Sequence, residues 1–337
     1  MPGNFALLIQ KNLPIENTYQ LNSLAEYGAE IFSYDDYLEI ISFRRKHGVG
    51  LTVVGEGSNI IPGTNVKGLV VKMSRTGISQ LDDGDDTVLV EVSAGENWND
   101  FVFFALEKGW YGLENLVMIP GSVGAAPIQN IGAYGAEVAD FIEYVLVWDA
   151  HGKERTLSRD ECLFGYRSSI FQRDTELTVA GVGLRLGKIP KPNISYPDVS
   201  NALSDRPESS ITPKIVASKI AEIRSAKLPD PKTYPNVGSF FKNPLLDKAD
   251  AERLKEIGLT VFSQDSGYKI SAAELIDRAG CKDLTDEHIY CWPKQPLVLI
   301  NKSAISSSEV RAFAEKVRSR VLEEFRVHLT YEPKFFE

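Results

Sequence analysis

Three stretches carry residue types that could do chemistry. Residues 119–137, IPGSVGAAPIQNIGAYGAE, pack Gly121, Gly124, Gly132 and Gly135 among small residues, with Gln129 and Asn130 as polar side chains. Glycines permit positive φ and close backbone approach, so successive N–H groups can point at a pyrophosphate. The uncharged character also suits a neutral flavin ring pressed against backbone. A Gly-rich crossover between strands accounts for the same composition. The second stretch, Gly55-Glu56-Gly57-Ser58-Asn59-Ile60, begins like a dinucleotide fingerprint, but Ile60 stands where GxGxxG needs its third glycine. The Rossmann reading fails there and leaves a tight strand-ending turn. The third, GSFFKNP (238–244), sets Ser239 beside two phenylalanines, Lys242 and Asn243. A hydroxyl, a lysine and an amide could line a site for an anionic, sugar-like ligand. By itself the stretch reads as a turn with two core phenylalanines and a solvated lysine.

Other chemistries are excluded. The chain has no HExxH, GxxxxGK[ST] or GxSxG. His47, His151, His288 and His328 lack metal-ligand spacing, and Cys162, Cys281 and Cys291 form no CxxC pair, so no metal site is expected. The three thiols read as reduced. With 37 basic against 46 acidic residues the formal charge is -9, a sign that repels phosphate backbones and argues against a nucleic-acid partner. Hydrophobic residues are 43% and no apolar run approaches the roughly 20 residues of a membrane span, so no membrane partner is expected. The start, MPGNFALLIQKN, lacks the pattern of an export signal, which points to the cytoplasm.

The elements that must position these stretches alternate between helix and strand, as in a mixed α/β chain. Asp35 and Asp36 precede a helix-like run ending near Gly48, and LTVV (51–54) reads as a buried strand. Residues 66–73 and 88–92 are further strands, the latter after an Asp-rich turn at 82–86. Asn97 caps a helix whose face is Trp98, Phe101, Val102, Ala105 and Leu106, ended by Gly109. Thr212-Pro213 opens another with Val216, Ile220 and Ile223 on one face. Ser271 with Glu274 and Ser306 with Glu309 are spaced as capping boxes. The Pro-rich stretch LPDPKTYP (228–235) marks the start of a C-terminal domain.

Taken together, LTVVGEGSNI (51–60), VSAGENW (92–98), GLENLVMIPGSVGAAPIQNIGAYGAE (112–137), FGYRSSIF (164–171), KLPDP (227–231), GSFFKNP (238–244), AAELIDRAG (272–280) and QPLVLIN (295–301) resemble the UDP-N-acetylenolpyruvoylglucosamine reductase (MurB) family, in the family's order over nearly the whole chain. The resemblance implies a three-domain α/β flavoprotein: residues 1–75 completed by 327–337, and 76–226, hold FAD in the manner of the vanillyl-alcohol-oxidase-like (PCMH-type) proteins, and 227–326 bind substrate. It implies two half-reactions of bacterial cell-wall precursor synthesis. NADPH reduces FAD; then UDP-N-acetylglucosamine enolpyruvate is reduced to UDP-N-acetylmuramate. The family default is a monomer.

Site residues follow from matching motif positions. FAD falls to Gly55, Glu56, Gly57, Ser58, Asn59, Pro120, Gly121, Ser122, Gly124, Gln129, Asn130, Gly132, Ala133 and Tyr134. Arg167 matches the arginine facing the enolpyruvyl carboxylate, Ser239 the proton donor to C2, and Glu332 in TYEPKFF the catalytic glutamate, expected buried beside Arg167 so that its carboxyl can donate or relay a proton. Tyr166, Tyr196, Lys227, Asn243 and Gln295 match substrate-binding positions, and Tyr196 with its ISYPDV loop resembles the substrate-covering loop of type I members. Residues 282–294, KDLTDEHIYCWPK, depart from the glycine-rich pattern that type I members carry before Gln295. GSFFKNP with Tyr196 argues against another FAD-dependent oxidoreductase of the same fold, and the presence of Arg167, Ser239 and Glu332 argues against a non-catalytic nucleotide-sugar sensor.

Overall fold

A computed structural model of the protein describes residues 7–264 and 267–337; the first six residues, part of the stretch read above for an export signal, lie outside it. The chain forms two units that interleave in sequence. One comprises the start of the chain to Leu13, Ala25–Glu56 and Lys67–Ala226; the other comprises Pro14–Leu24, Gly57–Val66 and Lys227–Glu337.

In the first unit, helix α1 (Tyr34–His47) starts at Ser33, whose hydroxyl accepts the Asp36 N–H while the Asp36 carboxylate accepts the Ser33 N–H. Asp35 and Asp36 therefore lie inside the first turn rather than ahead of it, where carboxylates meet the positive end of the helix. Gly48, in the left-handed region (φ 65°), ends it. The helix buries Tyr37, Ile40 and Ile41. Tyr37 lies 5.0 Å from the Trp148 ring and its hydroxyl donates to the Asp149 carbonyl (3.0 Å).

Trp148 belongs to a five-stranded antiparallel sheet ordered Glu154–Ser158, Ile142–Trp148, Thr178–Gly187, Thr87–Ser93, Ile78–Asp83. Val88, Val90 and Val92 alternate into the core while Leu89 and Glu91 stay half-buried, the period of a sheet with one covered face. The edge strand Ile78–Asp83 takes in Asp82 and Asp83, which the sequence places in a turn. Five of its six residues are exposed, so it has no apolar alternation to read. A second sheet is ordered Gln10–Pro14, Leu24–Ile31, Asn65–Met73, Leu51–Val54, the last pair parallel. Leu51–Val54 is half-buried along its length, not buried as its composition suggested.

Helix α2 (Trp98–Lys108) is capped by the Asn97 side chain, which accepts the Asp100 N–H (3.0 Å), and ends at Gly109 (φ 76°). Its five expected apolar positions are all buried. Helix α3 (Pro197–Ala202) follows Tyr196, and α4 (Pro213–Lys227) starts at Thr212, whose hydroxyl accepts the Ile215 N–H. Val216, Ala217 and Ile220 of α4 join the first unit's core, and Ile223 is half-buried.

The second unit carries α5 (Lys248–Glu256), α6 (Ala272–Arg278) and α7 (Ser307–Phe325). The Ser306–Glu309 capping box is complete. At α6 only half of the expected box forms: Ser271 accepts the Glu274 N–H, but the Glu274 carboxylate instead takes the Thr260 N–H (3.2 Å). Strands Ile289–Trp292 and Gln295–Asn301 make a hairpin, and Lys334–Phe336 runs parallel to Ile60–Pro62.

All three cysteines are free and buried, and burial raises their thiols, Cys162 and Cys291 to about 12 and Cys281 to about 11. Since the thiolate is the reactive form, an aromatic disulfide reagent should titrate none of them in the native protein and all three after unfolding. A fast-reacting thiol in the native protein would contradict this.

Candidate active site

In the first unit the Gly-rich stretch is folded around the start of α2. The Trp98 N–H donates to the Gly121 carbonyl (2.9 Å) and the Val123 N–H to the Glu96 carbonyl (2.8 Å). Asn97, besides capping α2, donates through Nδ2 to Glu56 (2.7 Å). Gly121, Ser122 and Gly124 are buried, and Pro120 is exposed. A Cβ on Gly124 would stand 2.4 Å from the Ala94 Cβ, and one on Gly55 would stand 2.5 Å from the Ser122 hydroxyl. A side chain is excluded at Gly124 by the Ala94 backbone, while one at Gly55 would displace the Ser122 hydroxyl, and Gly55, Glu56 and 121–124 form one tight, uncharged backbone cluster next to a single carboxylate.

The rest of the stretch makes a small hairpin, Gly132–Ala133 with Ala136–Glu137, closed by Tyr134 and Gly135, both at positive φ (48° and 82°). Two positive-φ residues are what a two-residue hairpin loop requires. Asn130 (φ 46°) and Arg167 (φ 48°) share that conformation, so three non-glycine residues of the predicted site hold left-handed backbone. Such positions persist only where surrounding contacts impose them. Asn130 is buried with its side chain committed to protein: Oδ1 accepts the Ala139 N–H (3.0 Å), and Nδ2 donates to Glu137 (2.7 Å) and to the Gly165 carbonyl (3.2 Å). Gln129 beside it is half-buried.

Arg167 sits in a turn closed by reciprocal Gly165–Ser168 hydrogen bonds. Its guanidinium donates to the carbonyls of Gly132 (2.5 Å) and Asn130 (3.2 Å), lies 3.8 Å from Glu137, and stands 5.3 Å over the Tyr166 ring. Tyr134 meets Tyr196 edge-on (5.3 Å, 76°), and its carbonyl accepts from Asn115 (2.8 Å). Tyr196 itself is 42% exposed, at the end of the irregular run that leads into α3.

A residue the sequence did not single out completes this group. Arg224 of α4 lies near the Tyr134 side chain, which favours its charge, while its Nε is buried with no hydrogen-bond partner. Among the described residues no carboxylate pairs with it. Burial lowers its pKa below the usual guanidinium range. No motif marks Arg224; only the helical spacing that puts it one turn beyond the buried Ile220 hinted at an inward direction.

In the second unit, GSFFKNP runs extended between two neighbours. The Phe240 N–H donates to the Leu297 carbonyl (2.9 Å) and Ser239 bridges Val298; on the other side the Lys242 N–H donates to Thr330 and the Glu332 N–H to the Phe240 carbonyl (3.0 Å). Phe240 and Phe241 are fully buried, as the plain reading of the segment had it. The same ladder places Ser239 within a residue of the backbone that pairs with Glu332. Asn59 reaches the Glu332 carbonyl through Nδ2 (3.5 Å), and its own carbonyl accepts the Lys334 N–H (3.0 Å). Gly57 (φ 71°) holds the preceding turn, where a Cβ would lie 2.2 Å from the Glu16 carbonyl oxygen, and Ser58 is half-buried. Glu332 is half-buried rather than buried; Pro333 takes the covered position next to it. Asn243 accepts the Ala272 N–H (2.9 Å) and so serves the start of α6. Lys227 is exposed, and Gln295 opens its strand opposite Trp292.

Among the described residues no helix is long and apolar enough to cross a membrane, and no cluster of His, Cys, Asp or Glu could hold a metal ion.

Comparison with known proteins covers both units. Residues 29–158 match the FAD binding domain family, and residues 230–336 match the family described as UDP-N-acetylenolpyruvoylglucosamine reductase, C-terminal domain. The chain is 39% identical over 325 residues to UDP-N-acetylenolpyruvoylglucosamine reductase of Pseudomonas aeruginosa, spanning 95% of this chain and 96% of the relative. It is 42% identical over 291 residues to the protein of that name from Chromobacterium violaceum, spanning 83% and 84%. The crystal structure of UDP-N-acetylenolpyruvylglucosamine reductase (MurB) from Thermus caldophilus shares the fold, with a TM-score of 0.66 at 22% identity over 98% of this chain and 100% of that one. With near end-to-end identity at this level, the chain belongs to the UDP-N-acetylenolpyruvoylglucosamine reductase family.

Proposed function

We propose that the protein reduces UDP-N-acetylglucosamine enolpyruvate to UDP-N-acetylmuramate with NADPH through bound FAD, as a cytoplasmic monomer in peptidoglycan precursor synthesis. The observation that carries this reading is the near full-length identity with reductases of that name. FAD fits what the first unit offers. The backbone cluster of Gly55, Glu56 and 121–124 is free of bulky side chains, and Arg224 presents a buried Nε–H that lacks an acceptor. Gly57, Ser58, Asn59, Gln129, Asn130, Gly132, Ala133 and Tyr134 complete the proposed FAD-binding set. Asn130 contributes through its backbone, because its side chain is committed to Ala139, Glu137 and Gly165. Bound there, FAD would supply the hydride-transfer chemistry that links NADPH to the enolpyruvyl double bond.

The chain's own residues manage charge and protons. Reduction at C3 of the enolpyruvyl group builds negative charge on its carboxylate, which Arg167 meets. Its guanidinium is held by the Gly132 and Asn130 carbonyls, so the charge is met without reorganisation. Ser239 delivers the proton to C2. Serine is a weak acid, but a carboxylate-conjugated carbanion is a far stronger base than the alkoxide left behind. Glu332 donates a hydrogen bond or relays a proton beside it. Lys227 acts as a point charge on the diphosphate, and Tyr166, Tyr196, Asn243 and Gln295 hold the rest of the nucleotide sugar.

Anaerobic absorbance spectroscopy tests the whole reading. NADPH should bleach the flavin and the UDP-enolpyruvyl sugar should restore its colour; bleaching without recovery would remove the proposed substrate. Arg224 gives a separate check. Arg224→Met should weaken FAD binding about tenfold or more, the scale of a lost charge-assisted hydrogen bond, read by the quenching of flavin fluorescence on titration. Unchanged affinity would remove Arg224 from the FAD site.

A further inference from the structure

Residues 282–294 lie outside the motifs that carry the family resemblance, and the proposed reaction uses none of them. The stretch ends in the strand Ile289–Trp292, where the register slips by a bulge so that Trp292 pairs with Gln295 across Pro293 and Lys294. The Trp292 indole Nε1–H donates to the Lys227 carbonyl at 3.0 Å. The ring is fixed from another side by Tyr234, 4.9 Å away and inclined at 51°. Lys227 is the last residue of α4, so its carbonyl has no acceptor role left within the helix, and Pro229 just beyond has no N–H to supply. An indole N–H can only donate, which matches that need.

The loop beyond Lys227 is held just as firmly. Asp230 accepts the Lys232 N–H (3.0 Å) through its side chain and the Tyr234 N–H (2.8 Å) through its backbone. The buried Asn236 donates to the carbonyls of Tyr234 (2.7 Å) and Pro229 (3.3 Å) and accepts the Gly238 N–H (2.8 Å). Trp292 thus touches the two residues assigned above to the nucleotide sugar, Lys227 through its carbonyl and Gln295 as its cross-strand partner.

We propose that Trp292 is a positioning residue for the UDP-sugar, fixing the root of Lys227 in register with Gln295. This rests on the reading of Lys227 as a diphosphate ligand. A lysine reaches its ligand on a flexible four-carbon stem, so a wandering root spreads the ammonium over many positions and raises the ordering cost of binding.

Steady-state kinetics on the FAD-loaded enzyme tests the proposal, with Trp292→Phe, Lys227→Met and the double variant. Trp292→Phe keeps an aromatic ring beside Tyr234 and removes the indole N–H along with part of the ring's bulk. It should raise KM for the UDP-enolpyruvyl sugar roughly fivefold to tenfold, the range of one hydrogen bond. The rate of flavin bleaching by NADPH and the melting temperature should not move. Lys227→Met should raise KM further, and adding Trp292→Phe to it should then change KM less than twofold, because the indole acts through the lysine. An unchanged KM in Trp292→Phe beside a raised one in Lys227→Met overturns the role of Trp292 and leaves Lys227 standing. The same KM increase from Trp292→Phe in both backgrounds also overturns it, since the effect then bypasses Lys227. An unchanged KM in Lys227→Met overturns the diphosphate assignment and this inference with it.

Discussion

Replacing Ser239 by alanine should leave FAD bound and reducible by NADPH, yet slow reoxidation of the reduced enzyme by the UDP-enolpyruvyl sugar by roughly 10²–10⁴-fold, the usual worth of a positioned proton donor. The backbone around Ser239 is held by the Phe240–Leu297 and Glu332–Phe240 hydrogen bonds, neither of which uses the serine side chain. Removing one oxygen there should not disturb the segment, and the melting temperature should stay within a degree or two. Rapid-mixing absorbance separates the two half-reactions directly. If the variant reoxidised at near the parental rate, Ser239 would not be the proton donor, and the half-buried Glu332 would become the next group to test.

Arg167 should behave differently, because its side chain serves two purposes. The guanidinium faces developing charge in the proposed reaction, and it also satisfies the carbonyls of Gly132 and Asn130. Arg167→Ala should slow the sugar half-reaction by roughly 10²–10³-fold, as for loss of one preorganised donor, with a much smaller effect on reduction by NADPH. It should also lower stability by about 1–3 kcal/mol, since a carbonyl left without its donor in a mostly covered position is costly. Arg167→Lys should recover little of either, because an ammonium cannot span two carbonyls in the plane a guanidinium does. Equal slowing of both half-reactions would instead assign Arg167 to holding the cofactor. An unchanged melting temperature would mean that water replaces the lost contacts at Gly132 and Asn130.

Much of the secondary structure was legible in the sequence because its causes are local. Asn97, the 3.6-residue spacing of Trp98, Phe101, Val102, Ala105 and Leu106, and Gly109 specify α2 within a dozen residues. Ser306 with Glu309 did the same for α7. Where a local pattern had two uses, tertiary contacts chose between them: Glu274 is spaced to complete a box with Ser271 but reaches Thr260 instead. Ile78–Asp83 leaves no signal in the sequence because a strand of mostly exposed residues has no apolar periodicity.

The family and its FAD chemistry were readable from sequence alone, since short motifs such as GSFFKNP and FGYRSSIF bind residue type to position with little ambiguity, and the same motifs nominate Arg167 and Ser239 for the proposed roles. What those residues do for one another was not readable. That the Asn130 side chain is spent on Ala139, Glu137 and Gly165, that Arg224 buries an Nε with no acceptor, and that Glu332 stays half-covered all depend on which distant segments come to lie alongside. Trp292 and Lys227 stand 65 residues apart, and Asn59 and Glu332 stand 273 apart. Hydrogen bonds of 3.0 and 3.5 Å across such separations are specified by packing, not by the spacing of residues along the chain.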